Sequence, residues 1–241
     1  MNKEFIRYIE YGGFPAVHLK TLTLDEAYVI VRDIYCTTIY TDIVKRNQIR
    51  KLDQMERIVK YVFDNIGNTF SANSIKGFLE SQRRKIDVET VYNYLSQLES
   101  AYILNRCSRQ DLQGREILKT QEKFYLVDNS IKHAVLGYKQ DDISQTLENI
   151  VYLELRRRGY DVYVGKLGSQ EIDFAAEKQG KNIYVQVAYL LADQKVQERE
   201  FGNLLKIGDN FPKLVVSMDE VDMSHKGIVH LNIKDFLLNG W

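Results

Sequence analysis

Between Lys51 and Ser130 three successive helical stripes of apolar residues give way to a pair of strand-like runs, and that order leaves few folds open. The first stripe is Met55, Ile58, Val59, Val62, Phe63 and Ile66, ended by Gly67. The second opens at Ser71, a residue suited to an N-cap, and carries Ile75, Phe78 and Leu79 before the basic run Arg83-Arg84-Lys85. The third opens near Asp87 and sets Val88, Val91, Leu95, Leu98 and Tyr102 on one face. Tyr102-Ile103-Leu104 and Lys123-Phe124-Tyr125-Leu126-Val127 then read as strands, with Asp111-Leu112-Gln113-Gly114-Arg115 as a hairpin turn between them. Helix, helix, helix, hairpin is the order of a winged helix-turn-helix.

Only two prolines interrupt the 241 residues, so the flanking elements must be ended by glycine and polar clusters. Residues 1–50 read as a helical lead-in: after Gly12-Gly13-Phe14-Pro15, the stretch Leu24 to Arg50 is apolar at helical spacing through Ala27, Ile30, Val31 and Ile34. That segment is too short to hold a core alone and must pack on the next domain or on a missing partner. Beyond the polar stretch Gly137–Asp142 the pattern becomes α/β. A helix over about 144–158 is followed by strands at 161–164, 171–176 and 182–187, a helix over about 193–207, strands at 213–217 and 227–231, and a helix at 233–238. The predicted organisation is α+β: a lead-in over 1–50, a winged-helix domain over 51–139 and a small restriction-endonuclease-like α/β domain over 140–241.

Charge and composition narrow the function classes. Lys plus Arg and Asp plus Glu are balanced at 33 each, so no global field draws the chain to nucleic acid or membrane, and any such contact must be local. Cys36 and Cys107 stand alone and His18, His133, His225 and His230 do not cluster, which argues against a zinc site. With no apolar run near 18 residues and no signal peptide, a soluble cytoplasmic chain with free thiols is expected. No Gly-x-x-x-x-Gly-Lys-Ser/Thr stretch is present, so this chain cannot cradle a triphosphate in a P-loop.

A recognition helix buries one face and turns its N-terminal outer face to the major groove. In the third helix that face carries Glu89, Thr90, Asn93 and Gln97, of which Asn and Gln can read adenine edges and Thr can touch phosphate or a thymine methyl. Arg83, Arg84 and Lys85, with Arg109 and Arg115 on the wing, could meet the phosphate backbone. Asp87 and Glu89 oppose this, and residues 51–130 hold twelve basic against eleven acidic side chains. DNA contact and a plain protein-packing role both stand at this point.

The C-terminal pattern has the order of a metal-dependent nuclease, in which acids on the first helix and on the second and third strands hold Mg²⁺ and a lysine follows the last acid by two residues. The matching positions are Glu148 on the helix, Asp173 on the second strand and Gln186 on the third, with Asp173 the candidate metal ligand. Period-two alternation sets Ile172, Phe174 and Ala176 on one face and Glu171 and Asp173 on the other. The expected Glu-x-Lys is Gln186-Val187-Ala188, which lacks both charges; Lys195 on the next helix is a substitute only if its side chain reaches back. An inactive scaffold retaining Asp173 is the favoured reading, and Mg²⁺ binding is the alternative.

The runs Arg7–Pro15, Asp33-Ile34-Tyr35, Tyr40–Arg46, Asn65-Ile66-Gly67 with Ser71-Ala72-Asn73, Thr90–Leu95, Lys123–Asp128, Leu147-Glu148-Asn149 and Glu171–Phe174 follow one another in the order of a known group. On these runs the chain resembles the C-terminal region of a bacterial and archaeal family of AAA-type ATPases. The resemblance implies a P-loop ATPase domain that precedes a winged helix and a nuclease-like domain, with ATP bound only in that preceding, missing part. The family's common Glu-Val-Lys on the third strand is here Gln186-Val187-Ala188. The function expected is a DNA-contacting or regulatory module of such an ATPase, without catalysis of its own and without a cofactor in this chain. Two rivals remain: a Mg²⁺-dependent nuclease using Glu148, Asp173 and Gln186, and a protein-interaction module that binds the ATPase domain or another protein through residues 1–50, or forms homo-oligomers.

Overall fold

The structure is a computed structural model that describes all residues except 1, 2, 20, 48, 50, 115 and 240, together with the side chains at 119 and 120. Helices and sheet both occur, in agreement with the α+β class. Contacts divide the chain into two compact units, one of residues 1–106 with 123–140 and the other of residues 107–122 with 141–241.

The first unit opens with α1 (Lys3–Tyr11), a 3-10 turn at Pro15–Val17 and α2 (Leu24–Thr38). Thr23 starts α2 with a capping box: its hydroxyl accepts the Glu26 N–H, and the Glu26 carboxylate accepts the Thr23 N–H at 2.8 Å. At its end α2 widens into a π-helical segment, Ile39–Lys45. Next come α3 (Leu52–Asp64), α4 (Ala72–Ser81) and α5 (Val88–Ser100). The N-caps of α4 and α5 are Ser71 and Asp87, as their side-chain chemistry predicts. Met55, Ile58, Val62, Ile75, Leu79, Val91, Leu95 and Leu98 are all fully buried, so the three predicted stripes supply this unit's core.

The lead-in is part of that unit. Both α1 and α2 pack on α6 (Asn129–Leu136), and the Tyr35 ring meets Phe63 of α3 edge-on at 6.0 Å. α6 starts at Asp128, whose carboxylate accepts the Ser130 N–H at 2.9 Å and the Gly13 N–H at 2.7 Å.

Tyr102 departs from expectation. It belongs neither to the buried stripe of α5 nor to a strand: it is 81% exposed at φ 53°. The cause is a helix stop of Schellman type, in which Tyr102 N–H donates to Glu99 C=O and Ile103 N–H to Leu98 C=O, both at 3.0 Å. β1 (Leu104–Asp111) and β2 (Ile117–Leu126) follow, longer than the sequence suggested.

In the second unit the outer parts of β1 and β2 join β3 (Asp161–Leu167), β4 (Gln170–Lys178), β5 (Lys181–Val187), β6 (Lys213–Ser217) and β7 (Val229–Asn232). Among the described residues the sheet has seven strands in the order β2-β1-β3-β4-β5-β6-β7. β3, β4 and β5 run antiparallel in sequence, whereas β1–β3, β5–β6 and β6–β7 are parallel pairs.

α7 (Ile143–Arg157) packs on β3–β5, with Tyr152 against Phe174, while α8 (Gln194–Leu205) packs on β4–β6 through Phe201 and Leu204. α9 (Ile233–Leu238) closes the unit. A register shift between β3 and β4 interrupts the alternation on β4, so that Ile172 shares the α8-side core with Ala175 rather than a face with Phe174. This corrects the single apolar face expected from Ile172, Phe174 and Ala176.

Candidate functional site

The N-terminal end of α5 is held open by its own cap. Thr90 N–H donates to Asp87 Oδ1 at 2.7 Å, and the Thr90 hydroxyl donates to Asp87 Oδ2 at 2.9 Å. The Thr90 N–H, then its hydroxyl, hold the Asp87 carboxyl below its ordinary value. Thr90 therefore directs its hydroxyl to the cap, and the charge of Asp87 complements the positive end of the helix.

A groove of about 600 Å³ adjoins this cap, with Lys51, Lys76 and Lys85 on its walls beside Glu80 and Asp87. Gln54 Nε2 donates to the Lys85 C=O at 2.9 Å and Arg57 Nη1 to Gln82 Oε1 at 2.8 Å, which pins the basic turn to α3. Arg83, Arg84 and Lys85 are all exposed, and Arg84 lies 3.5 Å from Asp53 in a solvated pair of small energetic weight. Lys51 and Lys76 were not among the sequence candidates. They come from the start of α3 and from α4, and only the tertiary packing of the helices brings them to Lys85.

The other candidates on α5 lie elsewhere. Exposed Asn93 and half-buried Gln97 line a separate cleft of about 630 Å³, faced by Asp42 and Arg46 around the end of the π-helical segment. Arg109 sits on β1 in the second unit, in register with Val164, and donates through Nη1 to Gln121 Oε1 at 2.5 Å. It is therefore carried by the β1–β2 hairpin where that hairpin joins the sheet of the second unit. Arg115 lies outside the described residues.

In the second unit Glu148 is half-buried on α7, Asp173 is on β4 and Gln186 is on β5, where it is 4% exposed. The β4–β5 ladder ends at Phe174 and Val185, and side chains carry the pairing onward. Asp173 N–H donates to Gln186 Oε1 at 2.7 Å, and Val187 N–H donates to Asp173 Oδ2 at 2.8 Å. Gln186 Nε2 in turn donates to Glu200 Oε2 at 2.7 Å; Glu200, on α8 and 3% exposed, also accepts from Arg199 at Oε1.

The Gln186 carbonyl is thus already engaged by backbone. Among the described residues no group of three or more His, Cys, Asp or Glu side chains could hold a metal ion. Lys195 is exposed on the first turn of α8. Glu200 was missed, yet its signal was present: it falls between Val196 and Leu204 at spacings of four, a charge on an apolar stripe.

A Ser-His-Asp contact also emerges that local sequence does not suggest. The Ser217 hydroxyl donates to Asp219 Oδ2 at 2.8 Å, and His230 Nε2 lies 2.9 Å from the same hydroxyl oxygen. Met223 N–H donates to His230 Nδ1 at 3.2 Å, so the remaining ring proton is on Nε2 and points at Ser217. The histidine cannot take the serine proton in that state. Ser217 and His230 are both buried, and the trio is a structural network, with burial pushing the His230 imidazole below its ordinary value.

No helix among the described residues is long and apolar enough to cross a membrane. No solved structure matches the chain. An uncharacterized protein of Haemophilus influenzae is 34% identical over 239 residues, covering 99% of this chain and 58% of its own length. An uncharacterized protein of Methanocaldococcus jannaschii is 29% identical over 199 residues, covering 80% of this chain and 43% of its own length. The chain therefore spans about half the length of the curated relatives it matches. Residues 2–142, which hold α1 to α6 and the β1–β2 hairpin, match the family described as "Domain of unknown function (DUF8612)", and the chain belongs to that family.

Proposed function

We propose that the chain is a DNA-contacting module of a larger AAA-type ATPase, in which α3, α4, α5 and the β1–β2 hairpin act as a winged helix and α5 approaches duplex DNA by its N-terminal end. The observation that carries this reading is the groove beside the α5 cap, where Lys51, Lys76 and Lys85 converge from three parts of the chain while Asp87 is occupied by Thr90. Arg83 and Arg84 extend the basic edge. A cluster of this kind neutralises phosphates and releases counterions, so affinity must fall steeply with salt.

The second unit, in this reading, is a nuclease-like scaffold that has exchanged metal chemistry for internal bonding through Gln186 and Glu200. The ordered motifs between Arg7 and Phe174 support the link to ATPases, and the relatives' greater length leaves room for such a domain.

The test is fluorescence anisotropy of a labelled duplex at rising salt. Duplex binding is expected at low salt, and changing Lys51, Lys76 and Lys85 to Ala should lower the slope of log affinity against log salt by about 3. Absence of duplex binding at low salt, or an unchanged slope in the triple variant, would overturn the reading.

A further inference from the structure

Gly202 stands inside α8, where a glycine weakens a helix relative to alanine. Packing within the chain does not call for it: among the described residues a Cβ at this position would meet no neighbour within 4 Å. Gly202 lies instead on a groove of about 630 Å³ that runs along α8. Glu198, Phe201 and Leu205 line the groove from the same helix, and Met223 and His225 face them from the connection between β6 and β7. That facing wall is held in place. The His225 ring meets Phe201 edge-on at 6.3 Å, His225 and Ile228 exchange backbone hydrogen bonds at 3.0 and 2.9 Å, and Met223 N–H donates to His230.

A bare position on a helix lets another backbone come close, at the short end of the usual distance between packed helices. The charges around Gly202 say which helix fits. Glu198 precedes it by four residues and Lys206 follows it by four, so the three share one stripe. Both charges are exposed, and among the described residues neither is in an ion pair; Glu198 only accepts from Gln194 Nε2 at 2.7 Å. An antiparallel copy of α8 that crosses at Gly202 on a two-fold axis brings each Glu198 level with the partner's Lys206, and each Lys206 level with the partner's Glu198. Leu205, 42% exposed on the groove side, comes level with residue 199 of the opposite helix, beside the apolar floor that Phe201 provides.

We propose that this groove takes α8 of a second copy of the chain, so that two second units pair about a dyad at Gly202. The occupant follows from the charge pattern: one acid and one base, equally spaced about a bare crossing point, are complementary to their own antiparallel copy. A helix from an unrelated protein would fill the apolar floor without any reason to match that symmetry. One helix and one loop from each copy make an interface at the small end of the usual range, so the pairing is reversible and depends on concentration. The inference concerns the second unit alone and holds whether or not the first unit meets DNA.

The test is sedimentation velocity of the whole chain between about 5 and 500 µM, over which a monomer should give way to a dimer. Gly202→Gln favours the helix and meets no neighbour in the monomer, so it keeps the fold while it fills the crossing point; it should weaken the dimer at least about tenfold. Glu198→Lys and Lys206→Glu each set like charges opposite one another at two symmetric places and should weaken it about tenfold, whereas the two changes together should restore it. A chain that stays monomeric to the top of the range would overturn the inference, as would a dimer that neither Gly202→Gln nor a single charge reversal weakens. A double reversal no tighter than the single ones would also overturn it, because that is the behaviour of a groove built for some other helix.

Discussion

Single residues decide how the first unit is joined to its own lead-in. Gly12 sits at φ 74°, and a Cβ there would fall 2.0 Å from Asp128 Oδ1 and within 2.7 Å of the Ser130 side chain. Asp128 holds the adjacent Gly13 N–H and caps α6 at once, so the motifs Gly12-Gly13 and Lys123–Asp128 are two halves of one clamp. Gly12→Ala should therefore cost about 2–3 kcal/mol, from the unfavourable backbone and the displaced carboxylate, read as a lower urea midpoint of the unit's unfolding. A second residue-scale prediction concerns acid. His230 is buried neutral with its value pushed below 6.5, whereas the unfolded imidazole takes up its proton near 6.5. Its contribution to stability is full above that pH and is lost as pH falls below it. Unfolding midpoints measured between about pH 7.5 and pH 5 should drop toward acid, and His230→Asn should flatten that slope while lowering stability throughout.

At the scale of elements, the side-chain tie between β4 and β5 replaces ladder bonds where the main chains no longer pair. Removing its anchor with Glu200→Ala would leave Gln186 Nε2 buried without that acceptor, and the second unit should lose about 2 kcal/mol in chemical denaturation. An unchanged midpoint would mean that the network has no structural weight. Elements with strong local signals were legible in the residues alone. Ser71 and Asp87 cap their helices as expected, and β6 and α9 fall on their predicted residues, because stripe and cap agree there with burial. α6 was not legible: eight residues long, it buries Lys132 and His133 along with Ile131 and Ala134, so no clean apolar stripe marks it. Tyr102 was misread because a tyrosine after an apolar helix looks like core, and only the helix stop turns it outward. The candidate site was half legible. Lys85 and its neighbours stood out as a basic run, but Lys51 and Lys76 reach the groove through packing that no local spacing encodes.

For the whole molecule, balanced charge leaves no global field toward nucleic acid, so the proposed duplex contact has to rest on a local surface such as the lysine groove. The lysine groove lies at the N-terminal end of α5, and the cleft lined by Asn93 and Gln97 lies along its outward face. Arg109 lies apart from both, on β1 in register with Val164 of β3. The most direct measurement of duplex contact through the lysine groove is amide hydrogen exchange of the whole chain with and without a low-salt duplex. Exchange should slow over residues 82–90 and at the start of α3, where the three lysines converge. Duplex binding that protects only the sheet of the second unit, with no change around the α5 cap, would contradict that mode of contact.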